Sequence, residues 1–238
     1  MKREVRIRGV VFDGRPRAAV VVDRVLPAAR CAALRCRGAD LVEVRADLFS
    51  ETLDRVAAFV RRLREETCLP LICTVRETRQ NRAHRARIFE RLLPLVDAVD
   101  IELDAGIRDT VIAMAAGRTV IVSDHDFRAM PSDRRLERTV ERAMHAGADI
   151  VKVAGMARSA GDAARLMAFC GGCPYPTVAI AMGPLGAVSR VVAPLFGSLF
   201  SYAFLERAVA PGQLPLAQLV TDFRRFYPDR RSGAGRHA

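Results

Sequence analysis

Short apolar, β-branched runs return at fairly even intervals along this chain, and they restrict its fold more than any other feature. The runs cover residues 18–23, 41–47, 71–76, 98–103, 119–124, 149–154, 177–182 and 198–204. Stretches with helical periodicity separate them, such as ETLDRVAAFVRRLREE at 51–66. Such alternation predicts a parallel α/β fold, and eight strand–helix units suit a closed (β/α)8 TIM barrel. An open doubly wound sheet is the alternative, but no GxGxxG turn follows the first run.

The chain of 238 residues, 50% of them hydrophobic, is long enough for one large core. We expect a single barrel domain over 18–227, an N-terminal hairpin (1–17) that closes the barrel bottom, and a flexible basic tail (228–238). No run approaches the roughly 18 apolar residues of a membrane span, and the N-terminus lacks the apolar segment of a secretory signal. We therefore expect a cytoplasmic protein without a membrane partner.

The formal net charge is +11, and only Lys2 and Lys152 among the 38 basic residues are lysines. The arginines are spread along polar helix faces, and no DNA- or RNA-binding motif is present, so small anions are favoured over nucleic acid as partners. Cys170 and Cys173 form a CxxC without a second CxxC or a paired histidine. We interpret them as ordinary reduced thiols, and the sequence assigns them no role.

Polar side chains fall at strand positions that should face the barrel interior or its C-terminal rim, where catalytic groups of such barrels lie. They are Glu43, Arg45 and Asp47 on the second run, Arg76 on the third, Asp100 and Glu102 on the fourth, His125 after the fifth, Lys152 on the sixth, and Arg190 after the seventh, which ends at the apolar Met182. Positions of opposite parity, such as Val42, Val44 and Val151, are apolar. Because a structural interior would be filled with Val, Ile and Leu, this convergence predicts a functional site.

Lys152 lies within the apolar run DIVKVA at 149–154. A buried ammonium is costly and tends to lose its proton, and neutral lysine is a nucleophile, whereas arginine stays charged. A strand-end lysine that reaches solvent or pairs with a carboxylate is the simpler interpretation. The polar interior predicted around Lys152 favours the chemical role.

The chain resembles the type I 3-dehydroquinate dehydratase family in six segments, VEVRAD (42–47), ICTVR (72–76), IVSDHDF (121–127), ADIVKVA (148–154), GAVSR (186–190) and APGQL (210–214). The resemblance covers roughly residues 5–227. It implies a (β/α)8 barrel, usually a homodimer, that dehydrates 3-dehydroquinate to 3-dehydroshikimate in the third step of the shikimate pathway towards chorismate and the aromatic amino acids. The family uses a lysine Schiff base, so no cofactor and no metal are expected.

Residue by residue, the resemblance makes Lys152 the Schiff-base lysine and His125 the general acid/base. The substrate-binding positions that it implies are Glu43, Arg45, Arg76, Arg190 and Gln213. Arg190 matches the arginine that holds the substrate carboxylate, and Gln213 matches the glutamine of a closing loop. Met182 and Tyr202 are possible supporting residues.

Two positions depart from the family pattern. Gln80 stands where a glutamate that orients the catalytic histidine is expected, and Val209 replaces the serine that begins the closing loop. An amide can still hydrogen-bond a histidine but supplies no negative charge, and valine removes a polar contact worth about 1 kcal/mol. Glu77 and Asp100 are candidates to compensate.

Other functions stay open from the sequence. A catalytically weak relative that binds or senses quinate-type acids is compatible with Gln80 and Val209, although a pure binder needs neither Lys152 nor His125. Another Schiff-base barrel enzyme, such as an aldolase, would share Lys152 but normally has a phosphate site near the last strands. A metal site at 124–126 is not expected, because adjacent strand residues point to opposite faces.

Overall fold

The computed structural model describes residues 4–227. Its first strands, β1 (Arg6–Ile7) and β2 (Val10–Val11), pair antiparallel as a hairpin. Ile7 is fully buried in the interior cluster of the barrel, and the Thr119 hydroxyl donates to the Arg6 carbonyl oxygen at 3.0 Å. The hairpin therefore covers the N-terminal end of the barrel. The expected flexible tail, 228–238, lies outside the described residues.

Eight parallel strands form the barrel, which confirms the fold predicted from the sequence. They are β3 (Ala18–Val22), β4 (Leu41–Arg45), β5 (Leu71–Thr74), β6 (Ala98–Glu102), β7 (Thr119–Asp126), β8 (Ile150–Met156), β9 (Thr177–Met182) and β10 (Ser201–Phe204). Continuous ladders run from β10 through β3 to β9. A parallel bridge between Thr177 and Ser198 joins the two ends. The short strand β11 (Leu214–Pro215) lies outside β10.

Helices separate the strands and cover the barrel. They are α1 (Ala28–Cys36), α2 (Leu53–Thr67), α3 (Arg85–Leu92), α4 (Arg108–Met114), α5 (Asp133–His145), α6 (Ala160–Gly172), α7 (Ser189–Val192) and α8 (Leu216–Phe226). The apolar stripe of α2 is buried at Val56, Val60 and Leu63, as its 3.6-residue period predicts. No helix within 4–227 has the length and apolar character needed to cross a membrane.

The side-chain alternation predicted for the strands is confirmed. Val42, Val44 and Val151 belong to the larger apolar cluster between the strands and the helices. A smaller cluster fills the barrel interior near the N-terminal hairpin. Above it the interior changes from apolar to charged, because Glu43 and Lys152 point inward from β4 and β8, where both are buried. A site is therefore confined to the C-terminal half of the barrel.

Strand ends differ from the expected ones where side chains bind the backbone. The third barrel strand stops at Thr74 rather than Arg76, because the Val75 carbonyl oxygen turns away and accepts a 2.7 Å hydrogen bond from Arg85 Nε. The fifth continues to Asp126, since its last residues still pair with β8, and His125 therefore lies on a strand rather than after one. This pairing fixes the direction of the His125 side chain. Cys170 and Cys173 are both buried at the end of α6.

Candidate functional site

A cavity of about 460 Å³ opens at the C-terminal end of the barrel. It is lined by almost all of the site residues expected from the sequence, which are Glu43, Arg45, Arg76, His125, Lys152, Met182, Arg190, Tyr202 and Gln213. They come from six of the barrel strands or from the segments that follow those strands. Neighbouring parallel strands end at the same rim, so residues far apart in the chain meet here.

Lys152 lies at the floor of this cavity and is 4% exposed. Its Nζ atom is 2.8 Å from Asp100 Oδ2 and 3.6 Å from Glu43 Oε1. The same atom lies 4.0 Å from the centre of the Tyr202 ring, which adds a cation–π contact. The resting lysine is therefore half of a buried ion pair, and its amine faces the cavity.

Asp100 is completely buried beneath the lysine. Its Oδ1 atom lies 3.0 Å from Arg76 Nη2 and accepts a 2.6 Å hydrogen bond from Ser123 Oγ. Burial alone would raise the pKa of Asp100, but the Arg76 and Lys152 cations outweigh it and hold that pKa well below its usual range. Asp100 is therefore a fixed negative charge in the floor of the site.

His125 lines the cavity wall beside Arg76, whose Nη2 atom lies 3.5 Å from His125 Nε2. Burial lowers the pKa of His125 well below its usual value, and the Arg76 and Lys152 cations lower it further. The imidazole is therefore neutral near pH 7. An arginine has no acceptor, so Nε2 presents its lone pair to Arg76 and Nδ1 carries the proton. Neutral imidazole is the form of histidine that can act as a base.

Glu43 and Arg45 are held in place by short polar contacts. Thr74 Oγ1 donates to Glu43 Oε1 at 2.8 Å. Arg45 pairs with both carboxylate oxygens of Asp47 at 3.0 and 2.7 Å, and this fork fixes the guanidinium plane. Both side chains therefore reach the cavity in defined orientations.

Arg190, from α7, is 2% exposed and forms no ion pair with any residue in 4–227. Its Nη2 atom donates to the Pro211 carbonyl oxygen at 3.3 Å, and its buried Nε atom has no hydrogen-bond partner among these residues. Burial lowers the pKa of Arg190 to about 10. A desolvated cation with free donors beside a cavity fits an anionic group of a ligand.

The loop 205–213 covers the side of the cavity next to Arg190. Gln213 is buried, and its Oε1 atom accepts a 2.9 Å hydrogen bond from the Val209 backbone N–H. Tyr202 lies beneath, with a buried hydroxyl that has no partner within 4–227, and burial, then the Glu43 charge, raises its pKa well above the usual value. The Val209 side chain lines the cavity without offering a hydroxyl.

Gln80 is the expected site residue that the structure does not bring into the cavity. It is exposed in the turn after β5, and the residues within hydrogen-bond distance of His125 do not include it. The negative charge near His125 comes from Asp100 instead, which acts to raise the pKa of the histidine. Glu77, the other candidate to compensate, pairs with Arg82 at 2.7 Å.

Sequence reasoning missed Ser123 and Thr74, which hold Asp100 and Glu43. Ser123 has the same strand parity as His125, so alternation could have indicated it. It also missed Arg85, which is buried at the start of α3 and pairs with Glu102, a partner of Arg76. No local sequence signal separates Arg85 from the many exposed arginines.

Known proteins resemble this chain over nearly its whole length. The family model described as type I 3-dehydroquinase matches residues 19–226. A 3-dehydroquinate dehydratase from Methanosarcina barkeri is 39% identical over 220 residues, covering 84% of this chain and 90% of that protein. Another, from Hydrogenobaculum sp., is 34% identical over 201 residues, covering 82% and 92%.

Solved structures agree with the sequence comparison. The 3-dehydroquinate dehydratase of Geobacillus kaustophilus superposes with a TM-score of 0.84 at 27% identity, covering 96% of this chain and 98% of that one. The enzyme of Aquifex aeolicus superposes with a TM-score of 0.77 at 31% identity, covering 89% and 99%. This chain therefore belongs to the type I 3-dehydroquinase family, and its activity is that of a 3-dehydroquinate dehydratase, a hydro-lyase.

Proposed function

We propose that the chain dehydrates 3-dehydroquinate through a Schiff base on Lys152, with His125 as the general acid/base. The observation that carries the proposal is the shared cavity of three groups: the amine of Lys152, the neutral imidazole of His125 and the buried guanidinium of Arg190. They supply a nucleophile, a base and an anion site, which are the parts that imine-assisted elimination from a keto acid needs.

The reaction begins when the Lys152 amine, after losing its proton, attacks the C3 ketone of the substrate. Loss of water from the adduct gives an iminium, which draws electrons from the ring and acidifies the C2 proton. His125 removes that proton and returns it to the C1 hydroxyl, which leaves as water. Hydrolysis of the product iminium frees 3-dehydroshikimate and regenerates Lys152, so atoms and charge balance without a cofactor.

The remaining residues bind and orient the substrate. Arg190 holds the carboxylate, and Glu43, Arg45 and Arg76 bind the ring hydroxyls. Gln213 and the loop 205–213 close over the ring and exclude water. Met182 and Tyr202 pack against it from the interior, where both line the cavity.

Borohydride trapping tests this mechanism. The chain is incubated with 3-dehydroquinate, enone absorbance is followed, and the adduct is reduced and mapped by peptide mass. Since Lys2 and Lys152 are the only lysines, the assignment is direct. Turnover together with an adduct on Lys152 supports the mechanism. Loss of both the turnover and the adduct in Lys152→Ala supports Lys152 as the Schiff-base residue. Turnover without any adduct would contradict the Schiff base, and an adduct without turnover would point to another substrate.

A binder or sensor of quinate-type acids is a second candidate, favoured by the exposed Gln80 and the apolar Val209. It predicts quinate binding without an adduct on Lys152. An aldolase-like activity is less favoured, because Arg190 offers a carboxylate site rather than a glycine-rich phosphate cradle.

We also propose a homodimer, as the resemblance implies. Large apolar side chains, Leu185, Val188 and Leu195, are exposed on a segment whose charged residue, Arg190, is buried. Light scattering of the purified chain checks the mass. A cytoplasmic location stays a prediction, and aromatic amino acid biosynthesis and quinate breakdown stay alternative roles.

A further inference from the structure

Asp100 contacts both Lys152 and Arg76 in the reaction centre, although the proposed mechanism gives it no step. Its Oδ2 atom binds Lys152 Nζ at 2.8 Å, and its Oδ1 atom binds Arg76 at 3.0 Å. Arg76 Nη2, which makes the second contact, also lies 3.5 Å from His125 Nε2. One carboxylate thus links the proposed nucleophile to the proposed acid/base through a single guanidinium.

The position of Asp100 is fixed from several sides. It is fully buried, and Ser123 Oγ both donates to Asp100 at 2.6 Å and accepts from Arg76 Nη1 at 2.9 Å. A buried carboxylate is tolerated only where cations and donors satisfy both oxygens. Asp100 meets this condition in the resting site, through Lys152, Arg76 and Ser123.

Several other charged or titratable groups face the Lys152–Asp100 pair. They are Glu43 and Arg45 from β4, Arg76 after β5, Glu102 on β6, His125 on β7, Arg190 on α7 and Tyr202 on β10. Glu43 is the other carboxylate near Lys152, at 3.6 Å, and Thr74 already donates to that same Glu43 oxygen. Asp100 is therefore the closer counter-ion, and its second oxygen is the one that reaches towards the histidine side.

We propose that Asp100 is a positioning residue with two roles. It is the counter-ion of Lys152, both when the lysine is an ammonium and when it has become the substrate iminium. It also orients His125 through Arg76. The iminium part rests on the proposed Schiff-base mechanism. A nearby negative charge keeps the imine protonated, which the electron sink requires. The same charge replaces the one that Gln80 does not supply and stabilises the imidazolium formed after proton removal.

Chemical labelling tests the first part without substrate. Wild type, Asp100→Asn and Asp100→Glu are acetylated briefly at a series of pH values, and labelling of Lys152 is read by peptide mass against Lys2. Removing the charge favours the neutral amine, so Lys152 in Asp100→Asn becomes reactive about 1–3 pH units lower. Asp100→Glu keeps the negative charge, so the pH dependence of Lys152 labelling in this variant stays near that of wild type. Asp97→Asn is the matched control, since Asp97 is a poorly exposed carboxylate that pairs with Arg64 at the opposite end of the barrel.

A labelling profile of folded Asp100→Asn that coincides with wild type would overturn the proposal, as would an equal shift in Asp97→Asn. If Asp100→Asn does not fold, NMR spectra of wild type labelled with ¹⁵N-lysine test the Lys152–Asp100 ion pair instead. Hydrogen bonding and burial predict one slowly exchanging Nζ ammonium signal, absent in Lys152→Ala, and its absence from wild type would contradict the ion pair.

The pH dependence of turnover tests the second part. In Asp100→Asn the amine, the iminium and the imidazolium all lose a stabilising negative charge, so both limbs of the kcat/KM profile move towards acid. If kcat/KM falls at every pH but the two limbs of its pH profile stay at the wild-type pH values, the role of Asp100 is purely structural and the proposal is overturned. If wild type forms no adduct on Lys152, the Schiff base fails, and the labelling result still decides the ammonium pairing by itself.

Discussion

The guanidinium of Arg190 donates to the carbonyl oxygen of Pro211 at 3.3 Å. The group that we propose for the substrate carboxylate therefore also contacts the loop that covers the cavity. Ion pairs hold the base of this loop, from Arg207 to Asp23 at 3.1 Å and from Arg24 to Glu206 at 3.2 Å. Carboxylate binding and loop position are thus connected by one side chain.

Replacing Arg190 with lysine should weaken substrate binding more than it slows the chemistry. Lysine keeps the charge but loses the planar fork that grips a carboxylate with two donors. We expect KM to rise about 10- to 150-fold, the equivalent of the roughly 1.5–3 kcal/mol of a hydrogen bond to a charged group. Steady-state kinetics measure it, with the exposed Arg134→Lys as control. A fall in kcat at unchanged KM would contradict the assignment.

Replacing Gly212 with alanine should displace the closing loop. Gly212 has φ +72°, and an added Cβ would meet the backbone of Gly183. A left-handed φ costs a non-glycine residue about 1–2 kcal/mol. We expect kcat/KM to fall roughly tenfold or more, which corresponds to about 1.4 kcal/mol, with little change in Tm because the loop lies outside the barrel. Gly172→Ala, with open space around its Cβ, is the control. Unchanged kinetics would show that the loop does not need this conformation.

The sequence predicted the architecture and most of the site because both follow from periodicity. Inward polar positions at Glu43 and Lys152, flanked by outward valines, need only the two-residue alternation of a strand. Alternation gives the face of a residue but not its distance to a partner. The ion pair between Lys152 and Asp100, with 51 residues between them, therefore came only from the structure. Gln80 makes no contact with His125 in this structure, because it is exposed in the turn after β5.

Introducing the family glutamate by Gln80→Glu should leave catalysis nearly unchanged. The side chain is exposed in a turn outside the cavity, and Asp100 already supplies the negative charge near His125. We expect kcat/KM within about twofold of wild type, as for surface substitutions worth about 0.5 kcal/mol or less. The pH profile should not move. Arg79→Gln changes the charge of the same turn by the same amount and is the matched control. A large gain in Gln80→Glu alone would show that the turn reaches His125 once substrate is bound.

His125 should make the fold less stable in mild acid. Burial, with Arg76 and Lys152, lowers its pKa in the folded chain below the value of about 6.5 expected when unfolded. Below that pH the unfolded chain binds a proton that the folded chain does not, so the free energy of unfolding falls as pH decreases. One such proton contributes a slope of at most about 1.4 kcal/mol per pH unit. Urea unfolding of wild type and His125→Asn between pH 7.5 and 5 should show the shallower slope in the variant.

The control for this slope is His84→Asn, because His84 is exposed. It should keep the wild-type pH dependence even if its stability changes by a constant amount. Equal slopes in wild type and His125→Asn would mean that His125 takes up its proton alike in folded and unfolded chains. The imidazole would then not be held neutral by burial and by Arg76, and the base assigned to C2 would have to be sought elsewhere in the cavity.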